Sequence, residues 1–296
     1  GWTQPTSSIS APPKTNTPTR SSSRWNGGLM SETSRQVRPR KGVWMFPAAP
    51  ADQLVAAVVR AEELGLDEVW IADEGVARDP MTVLAASARE TSEIRLAVVI
   101  TSPLLRHPGA IAATAATVDE LSGGRFTLGL GVGGQKSLKP FGLSAERPVA
   151  MLREAIVTAR AVLAVESATG YEVPDHAIGR RDVPIWVGSR GPQIVKLAAR
   201  LADGVFLSGC TPAEHATIVA SMEEVVEVPQ VALYQSASDE VDSPSVRRWA
   251  DVGSLLADEA SRWHPASVGI NLVDLNDGRG DPVELVERAA EILGSL

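Results

Sequence analysis

The sequence predicts a TIM-type (β/α)₈ barrel. From Gly42 to the C-terminus, short runs rich in β-branched residues alternate with longer stretches that have helical period. This alternation is typical of parallel βαβ units. We count eight such strands, a number that favours a closed barrel over an open doubly wound sheet, which is the structural alternative.

The predicted strands are short apolar runs bounded by charged residues, glycine or proline. They lie at residues 43–46, 68–72, 94–100, 125–130, 184–187, 204–207, 230–234 and 267–272. In a barrel of this kind, reactive side chains lie at the C-terminal ends of the strands. The eight strand ends are therefore where we look for a functional site.

The predicted helices fill the intervals between the strands. The first carries Leu54, Val55, Val58 and Val59 on one side and ends before Gly65, a typical C-terminal glycine. Most of the helices begin at or beside a proline, whose fixed φ suits a first helical turn. They are predicted at residues 50–64, 80–90, 108–121, 145–164, 192–201, 212–225, 245–261 and 282–293.

Residues 1–41 differ in composition from the rest of the chain. They are rich in Ser, Thr, Pro and Arg and hold seven basic residues and one acid, whereas the remainder holds 21 basic and 35 acidic residues. We predict a disordered leader over 1–41 and a barrel domain over 42–296. A transit peptide, or a gene-start artefact with Met30 as the true start, are the alternatives for the leader. The acidic barrel is not expected to bind nucleic acid, which requires a concentrated basic face.

The cysteine and histidine contents restrict the chemistry further. Cys210 is the single cysteine, so an internal disulfide is excluded and a cytoplasmic protein is expected. It has no basic neighbour in sequence and is not expected to be a nucleophile. The four histidines lack metal-ligand spacing, so no metal site is expected. No apolar run approaches the roughly 18 to 20 residues of a membrane span, so no membrane partner is expected.

Following each predicted strand to its end brings a set of polar and small residues together. They are Phe46, Pro47, Asp73, Glu74, Thr101, Ser102, Gly131 to Gly134, Gly188 to Arg190, Ser208 to Cys210, Gln235 and Asn271. This pattern predicts a polar mouth on an apolar barrel. Tryptophans within the strands are expected to pack rather than to bind a ligand.

Asp73 and Glu74 are the candidate catalytic carboxylates. Neighbouring side chains on a strand point in opposite directions, so at most one of the two faces the mouth. An ion pair with Arg78 or Arg106 is the structural alternative. His107 precedes a predicted helix, where we expect it to be a structural hydrogen-bonding residue.

The glycine-rich turn from Gly129 to Gly134 resembles a dinucleotide-binding fingerprint only superficially. No helix is predicted immediately after it, and no acid follows about twenty residues later, so a Rossmann fold is rejected. Two explanations stay open for Gly131 and Gly133. Either these glycines allow the chain to leave the strand in a tight turn, or their missing β-carbons allow a flat ring system to approach the backbone.

The segment from Trp186 to Pro192 predicts an anion site. A strand ends at Gly188, and a helix begins near Pro192, so free backbone N–H groups and the helix dipole converge there. Ser189 and Arg190 add a hydroxyl and a guanidinium, which match a phosphate monoester. A plain strand-to-helix turn with a capping serine is the alternative.

Several segments together resemble the superfamily of bacterial luciferase-like monooxygenases and coenzyme F-420-dependent reductases, which includes methylenetetrahydromethanopterin reductase. The resemblance covers residues 43 to about 293. The segments that carry it are AEELGLDEVWIAD at 61–73, RDP at 78–80, RHP at 106–108, DELSGGR at 119–125, LGLGVG at 128–133, PIWVG at 184–188 and ADG at 202–204.

The resemblance implies a TIM barrel, usually a homodimer, that holds FMN or the 8-hydroxy-5-deazaflavin coenzyme F-420. It implies a non-proline cis peptide in the third strand. It also implies a set of cofactor-binding residues at three strand ends. Those for the ring are Val99, Ile100, Thr101 and Ser102, and those for the phosphate are Gly188, Ser189, Arg190, Gly191 and Pro192. From the glycine turn itself, we add Gly131 and Gly133 as candidate residues for the ring.

The chain departs from the family at two positions. Asp73 and Glu74 stand where F-420-dependent relatives commonly have Asp-His, and Gly134 and Gln135 stand where sugar-phosphate dehydrogenating relatives place a glutamate. A sugar phosphate is therefore not the expected substrate. Larger members carry long insertions where this chain has only residues 167–182, so the pocket is expected to be open or completed by a partner subunit.

Three functional hypotheses follow. The first is F-420-dependent hydride transfer to a small organic substrate, with Asp73 or Glu74 positioning the substrate or relaying a proton. The alternative enzyme is an FMN-dependent monooxygenase that uses reduced flavin and oxygen. The alternative of another class is a non-catalytic flavin-binding barrel.

Overall fold

The computed structural model describes residues 38–75, 77–177 and 179–296. Within this part the chain forms a closed barrel of eight parallel strands, surrounded by helices, as predicted. The predicted leader lies almost entirely outside the described residues. The first strand begins at Arg40, two residues before the domain boundary expected from composition.

The strands pair in the order β6-β5-β4-β3-β2-β1-β9-β7, and β7 pairs with β6 to close the barrel. Their bounds are β1 Arg40–Met45, β2 Glu68–Ile71, β3 Arg95–Thr101, β4 Phe126–Leu130, β5 Ile185–Gly188, β6 Gly204–Ser208, β7 Val231–Ser238 and β9 Ser267–Leu272. A short strand, β8 Val246–Arg248, pairs with the far end of β7 and extends the sheet beyond the barrel.

The helices follow the strands along the chain. Their bounds are α1 Ala51–Glu63, α2 Pro80–Glu90, α3 Pro108–Ser122, α4 Gln135–Leu138, α5 Pro148–Ala164, α6 Pro192–Leu201, α7 Pro212–Glu223, α8 Trp249–Trp263 and α9 Pro282–Gly294. Two 3₁₀ helices lie at Lys139–Phe141 and Val273–Asp277. None of the described helices is both long and apolar enough to cross a membrane.

All eight predicted strands and all eight predicted helices are present among the described residues. Besides the two 3₁₀ helices, two further elements were not predicted. The first is α4, which begins at Gln135, directly after the glycine turn, where we expected no helix. It has four residues, and the barrel order of the strands still excludes a Rossmann fold. The second is β8, which occupies the predicted start of α8, so that this helix begins at Trp249.

Two separate layers of apolar side chains hold the barrel together. Successive residues on a strand face opposite sides, so Val69 and Ile71 pack outward against the helices while Trp70 points inward. Inside the barrel, the ring centroid of Phe206 lies 4.8 Å from that of Trp70 and 4.8 Å from that of Tyr234. Aromatic rings at these separations fill the interior, as expected for the strand tryptophans.

A buried carboxylate lies at the N-terminal end of the barrel. Glu68 Oε1 accepts hydrogen bonds from Trp70 Nε1 at 2.6 Å, Tyr234 Oη at 2.8 Å and Ser267 Oγ at 2.5 Å. Its other oxygen, Oε2, accepts one from Arg40 Nε at 2.6 Å. Burial and then the Glu68 charge raise the pKa of Tyr234 well above its usual value, so its phenol stays a donor. This network fills the end of the barrel opposite the strand C-termini.

Candidate functional site

A cavity of about 340 Å³ lies at the C-terminal ends of the strands. We call it the mouth cavity; its lining residues are Trp44, Glu74, Val99, Ile100, Gly188, Ser189, Arg190, Phe206, Ser208, Gly209, Asn271 and Asn276. Larger hollows lie elsewhere, such as one of about 660 Å³ beside α1 and α2. The mouth cavity is the candidate site because it lies at the reactive end of the barrel and has convergent polar groups.

The third strand forms one apolar wall of the mouth cavity. The peptide bond between Val99 and Ile100 is cis, as the family resemblance implied, and the pairing of β3 with β4 shifts register between Val98 and Thr101. Val99 and Ile100 both line the mouth cavity. The indole Nε1 of Trp44 donates a hydrogen bond to Val99 O at 3.2 Å, which ties this wall to β1.

Ile100 also explains two glycines, Gly131 directly after β4 and Gly188 at the end of β5. A β-carbon added at Gly131 would lie 2.8 Å from Ile100 Cδ1, and one added at Gly188 would lie 2.3 Å from Ile100 Cγ2. Contacts this short do not occur between real side chains. At these positions the missing β-carbons leave room for Ile100. The packing thus provides a structural reason for Gly131 that differs from both explanations left open by the sequence, a tight strand exit and room for a flat ring.

The turn between β5 and α6 places a cation at the cavity. Ser189 and Arg190 both line it. Arg190 forms no ion pair within 4.0 Å of a described carboxylate, although, after the hydrogen bonds from Thr211, its charge contributes to lowering the pKa of Glu214. Arg190 Nη1 donates to Gly209 O at 3.3 Å, which joins this turn to the next strand end. The backbone N–H of Gly191 was expected to be free but donates to Ser189 Oγ at 3.1 Å. Helix α6 has no side-chain cap, so its first-turn N–H groups are left for another acceptor.

The two candidate carboxylates point into different spaces. Glu74 lines the mouth cavity, and its Oε2 accepts a hydrogen bond from Ser137 Oγ at 2.6 Å. Asp73 lines an adjoining pocket of about 310 Å³ and accepts a hydrogen bond from the backbone of Gly75. The prediction that only one of the pair faces the mouth is confirmed. The structural alternative, an ion pair with Arg78 or Arg106, is not formed: Arg106 binds Asp79, and Arg78 Nη1 donates to Ala48 O.

The remaining predicted cofactor residues do not line the mouth cavity; they are Thr101, Ser102, Gly131, Gly133, Gly191 and Pro192. Ser102 Oγ donates to Val132 O at 2.7 Å and accepts from Leu104 N at 3.2 Å, so it joins the loops after β3 and β4. Thr101 is buried, and its hydroxyl has no partner among the described residues. Of these residues, Gly131 packs against the wall residue Ile100, and Gly133 lies next to Leu138.

Gln235 was predicted at the mouth, and this prediction is wrong. Its side chain is buried on the outside of the barrel, where Nε2 donates to Glu259 Oε2 at 2.8 Å. Glu259 Oε1 lies 2.5 Å from Nδ1 of His215, so the three side chains join β7, α7 and α8. Residues 235–238 continue β7, and the alternation of its side chains turns Ser236, not Gln235, inward.

Two further predictions are confirmed. His107 caps α3, with Nδ1 accepting from Gly109 N at 3.1 Å. Cys210 is fully buried, and burial raises the pKa of its thiol to about 11, with the charge of Arg190 opposing that rise. The thiol therefore stays protonated, which does not suit a nucleophile. No group of three metal-binding side chains occurs among the described residues.

Four residues of the site were not recognised from sequence: Trp44, Phe206 and Asn276, which line the mouth cavity, and Ser137, which holds Glu74. Strand polarity contained a signal for Trp44 and Phe206, because both lie near the C-terminal ends of predicted strands. Ser137 and Asn276 lie in short helical segments that reach the cavity only through the fold.

The cavity lies at the strand C-termini of a TIM barrel and has one apolar and one cationic wall. This arrangement is typical of TIM-barrel enzymes that bind a ligand at these strand ends. The sequence model of the luciferase-like monooxygenase family matches residues 27–232. The chain belongs to this family.

Named relatives include a reductase and an F-420-dependent dehydrogenase. The chain is 32% identical over 184 residues to 5,10-methylenetetrahydromethanopterin reductase of Methanolobus tindarius, covering 60% of this chain and 56% of that one. It is 35% identical over 175 residues to an F-420-dependent glucose-6-phosphate dehydrogenase of Beutenbergia cavernae, covering 53% and 52%. The chain thus spans little more than half the length of these curated relatives.

Among solved structures, the fold is similar to coenzyme F-420-dependent tetrahydromethanopterin reductase from Methanopyrus kandleri. The TM-score is 0.71 and the sequence identity is 20%, over 86% of this chain and 98% of that one. At this sequence identity, the similarity shows the barrel fold alone.

Proposed function

We propose that this chain is an oxidoreductase that binds coenzyme F-420 at the mouth cavity and transfers a hydride to a small organic substrate. The observation that carries the proposal is the combination of the apolar wall at Val99 and Ile100 with the unpaired cation of Arg190. The F-420-dependent glucose-6-phosphate dehydrogenase among the named relatives supports the choice of cofactor. When bound, the deazaflavin supplies the hydride chemistry.

The residues of the mouth cavity fit such a cofactor. A flat, largely apolar ring system needs an apolar wall, which Val99, Ile100 and Phe206 provide. The cavity volume of about 340 Å³ lies at the small end of ligand pockets, so it suits the ring while the phosphate and tail extend outward. The anionic phosphate needs donors and positive charge, which the β5–α6 turn offers.

Each predicted cofactor residue has a role in this proposal. Ser189 and Arg190 contact the phosphate, together with uncapped N–H groups of α6, whose start is set by Gly191 and Pro192. Gly188 leaves room for Ile100. The ring contacts Val99 and Ile100. The residues that hold this wall from behind are Thr101, Ser102, Gly131 and Gly133.

Glu74 is the carboxylate that we place next to the substrate. Ser137 donates to Oε2, and Oε1 has no hydrogen-bond partner among the described residues. A carboxylate held at one oxygen and free at the other is suited to orient a substrate or to relay a proton. Asp73 faces the adjoining pocket, where we propose that it contacts an outer part of the substrate.

The experiment that tests this proposal compares two reactions of the purified full chain. Reduced F-420 is mixed anaerobically with a panel of enones, imines and aldehydes, and its reoxidation is followed by absorbance. In parallel, oxygen uptake is measured with reduced FMN and the same panel. We expect F-420 reoxidation that depends on one class of acceptor. Formation of an oxygenated product that depends on the protein, reduced FMN and a substrate, without F-420 reoxidation, would instead establish the monooxygenase, which the family description also allows.

We also propose that the chain acts as a homodimer. The support is its resemblance to the luciferase-like superfamily. Light scattering on the purified chain is expected to give twice the mass of one chain, and the mass of a single chain would contradict this.

A further inference from the structure

Three polar side chains meet inside the barrel at the ends of β6, β7 and β9. Asn271 Nδ2 donates a hydrogen bond to Ser208 Oγ at 3.0 Å and another to Ser236 Oγ at 3.0 Å. Asn271 and Ser236 are buried, whereas Ser208 is partly exposed and lines the mouth cavity. We call these three residues the amide bridge.

The amide bridge determines what the Ser208 hydroxyl offers to a ligand. A hydroxyl has one hydrogen to donate and two lone pairs to accept with. Because Asn271 donates to Ser208 Oγ, the hydrogen of that hydroxyl points elsewhere. No acceptor for it occurs among the described residues. The Ser208 O–H is therefore a donor without a protein acceptor, at the surface of the mouth cavity.

The neighbouring groups make this side of the cavity rich in donors. Ser189 Oγ accepts from Gly191 N, and its own hydrogen has no acceptor among the described residues, while Arg190 adds a guanidinium. Among the described residues, the carboxylate lining the mouth cavity is that of Glu74, in the loop after β2, and one of its oxygens already binds Ser137. Hydrogen-bond acceptors on a ligand are therefore favoured along the ends of β5 and β6.

We propose that Ser208 donates a hydrogen bond to a carbonyl oxygen of the cofactor ring, and that Asn271 is the positioning residue that orients it. This inference rests on the proposed function. The rings of F-420 and FMN share a pyrimidinedione edge with two carbonyl oxygens, so the assignment holds for either cofactor. It adds Ser208 to the cofactor-binding residues.

Two features favour the cofactor ring over the substrate as the acceptor. The backbone next to Ser208 is tied to the proposed phosphate site, because Gly209 O accepts from Arg190 Nη1 at 3.3 Å. The cavity of about 340 Å³ is also small enough that one tricyclic ring resting on Val99 and Ile100 fills most of it. Such a ring reaches the wall that Phe206 and Ser208 form.

The test uses infrared difference spectroscopy of F-420 and FMN bound to the full chain. A hydrogen bond lowers the stretching frequency of a carbonyl, so Ser208→Ala is expected to raise one ring carbonyl frequency. Ser208→Cys, with a weaker donor of similar size, raises it less. Removing one hydrogen bond is also expected to weaken cofactor binding about 3- to 10-fold.

Two further variants separate the hydroxyl from a general disturbance of the mouth. Ser238→Ala is the matched control, because Ser238 Oγ donates to Asp274 Oδ1 at 2.7 Å and does not line the mouth cavity. It is expected to leave the carbonyl frequency unchanged. Asn271→Ala leaves the Ser208 hydroxyl free to rotate, so it is expected to raise the ring carbonyl frequency by less than Ser208→Ala does. In the Ser208→Ala background, Asn271→Ala is expected to add no further shift.

The outcomes distinguish this inference from the proposed function. If the wild-type chain binds neither cofactor, the proposed function fails. If it binds one, but Ser208→Ala and Ser208→Cys leave every ring carbonyl frequency unchanged, the Ser208 assignment alone is overturned. An equal shift in Ser238→Ala would also overturn it, because the effect would then not belong to the Ser208 hydroxyl.

Discussion

Ile100 packs against the backbone of Gly188 across the mouth of the barrel, so closely that a β-carbon at Gly188 would lie 2.3 Å from Ile100 Cγ2. The two residues belong to β3 and β5, which are separated by β4. Their contact joins the apolar wall of the mouth cavity to the turn that carries Ser189 and Arg190. The shape of the cavity therefore depends on the absence of a side chain at Gly188.

Gly188→Ala is expected to destabilise the barrel. The clashing atom is a branched methyl on a stiff side chain, so the backbone must move. Overpacking of this kind lowers the free energy of unfolding by about 1–3 kcal/mol. Urea unfolding measures it, with Gly294→Ala as the matched control, because no atom lies within 4 Å of a β-carbon there. An unchanged stability of Gly188→Ala would show that Ile100 is not held in this position.

Arg190→Ala is expected to weaken cofactor binding by about 10- to 100-fold, the loss typical of one charge-assisted hydrogen bond. Fluorescence titration measures the dissociation constant. Arg200→Ala is the control, since Arg200 lies at the other end of the same helix, exposed to solvent. Equal affinities of wild type and Arg190→Ala would remove the phosphate assignment.

Glu74→Gln is expected to lower kcat about 100-fold or more while changing cofactor affinity little. Glutamine keeps an oxygen that accepts the hydrogen bond from Ser137, but it does not relay a proton. The rate is followed as reoxidation of reduced F-420 with the acceptor found by the panel. Asp73→Asn is the matched control and is expected to change KM more than kcat. If Glu74→Gln turns over at the wild-type rate, Glu74 carries no proton.

The stability of the protein is expected to fall at alkaline pH partly through Cys210. Burial raises the pKa of this thiol from 9.0 to about 11. The folded state thus resists an ionisation that the unfolded chain undergoes. The thiol's contribution to stability is present below pH 9 and is lost as the pH rises towards 11.

Cys210→Ala tests this contribution through the pH dependence of unfolding. Over the same interval the free energy of unfolding of the wild type is expected to fall by about 2 kcal/mol more than that of the variant. Thermal unfolding at several pH values measures both slopes. Parallel slopes would mean that the thiol is not buried in a low-polarity environment.

Tyr234→Phe is expected to lower the free energy of unfolding by about 1.5–3 kcal/mol, because it removes a buried hydrogen bond to the Glu68 carboxylate. Tyr171→Phe is the matched control, since Tyr171 is half-buried and its hydroxyl has no partner among the described residues. If Tyr234→Phe lowers the free energy of unfolding no more than Tyr171→Phe does, the hydrogen bond from Tyr234 to Glu68 does not stabilise the fold.

The order of strands and helices could be predicted because hydrophobic period and proline-marked helix starts are local properties of sequence. Short elements could not. Helix α4 has four residues, and β8 has three residues that pair only with the extension of β7. Such segments form through tertiary contacts, for example that between Ser137 and Glu74.

The site was predicted only in part, because local sequence properties locate the strand ends but not the tertiary contacts around them. Strand polarity located Glu74 and Ser189 with Arg190 at the mouth. It placed Gln235 wrongly, because the predicted strand ended at Tyr234 whereas β7 continues to Ser238. The packing of Ile100 against Gly131 joins residues from different strands, and no local pattern contains that information.

The most direct measurement is a parallel titration of the full chain with F-420 and with FMN, following intrinsic tryptophan fluorescence. Trp44 lines the mouth cavity, so a ring bound there is expected to quench its emission. Micromolar or tighter binding of F-420, with FMN much weaker, is the result we predict. Tighter binding of FMN would contradict the deazaflavin assignment, and binding of neither would contradict the cofactor site itself.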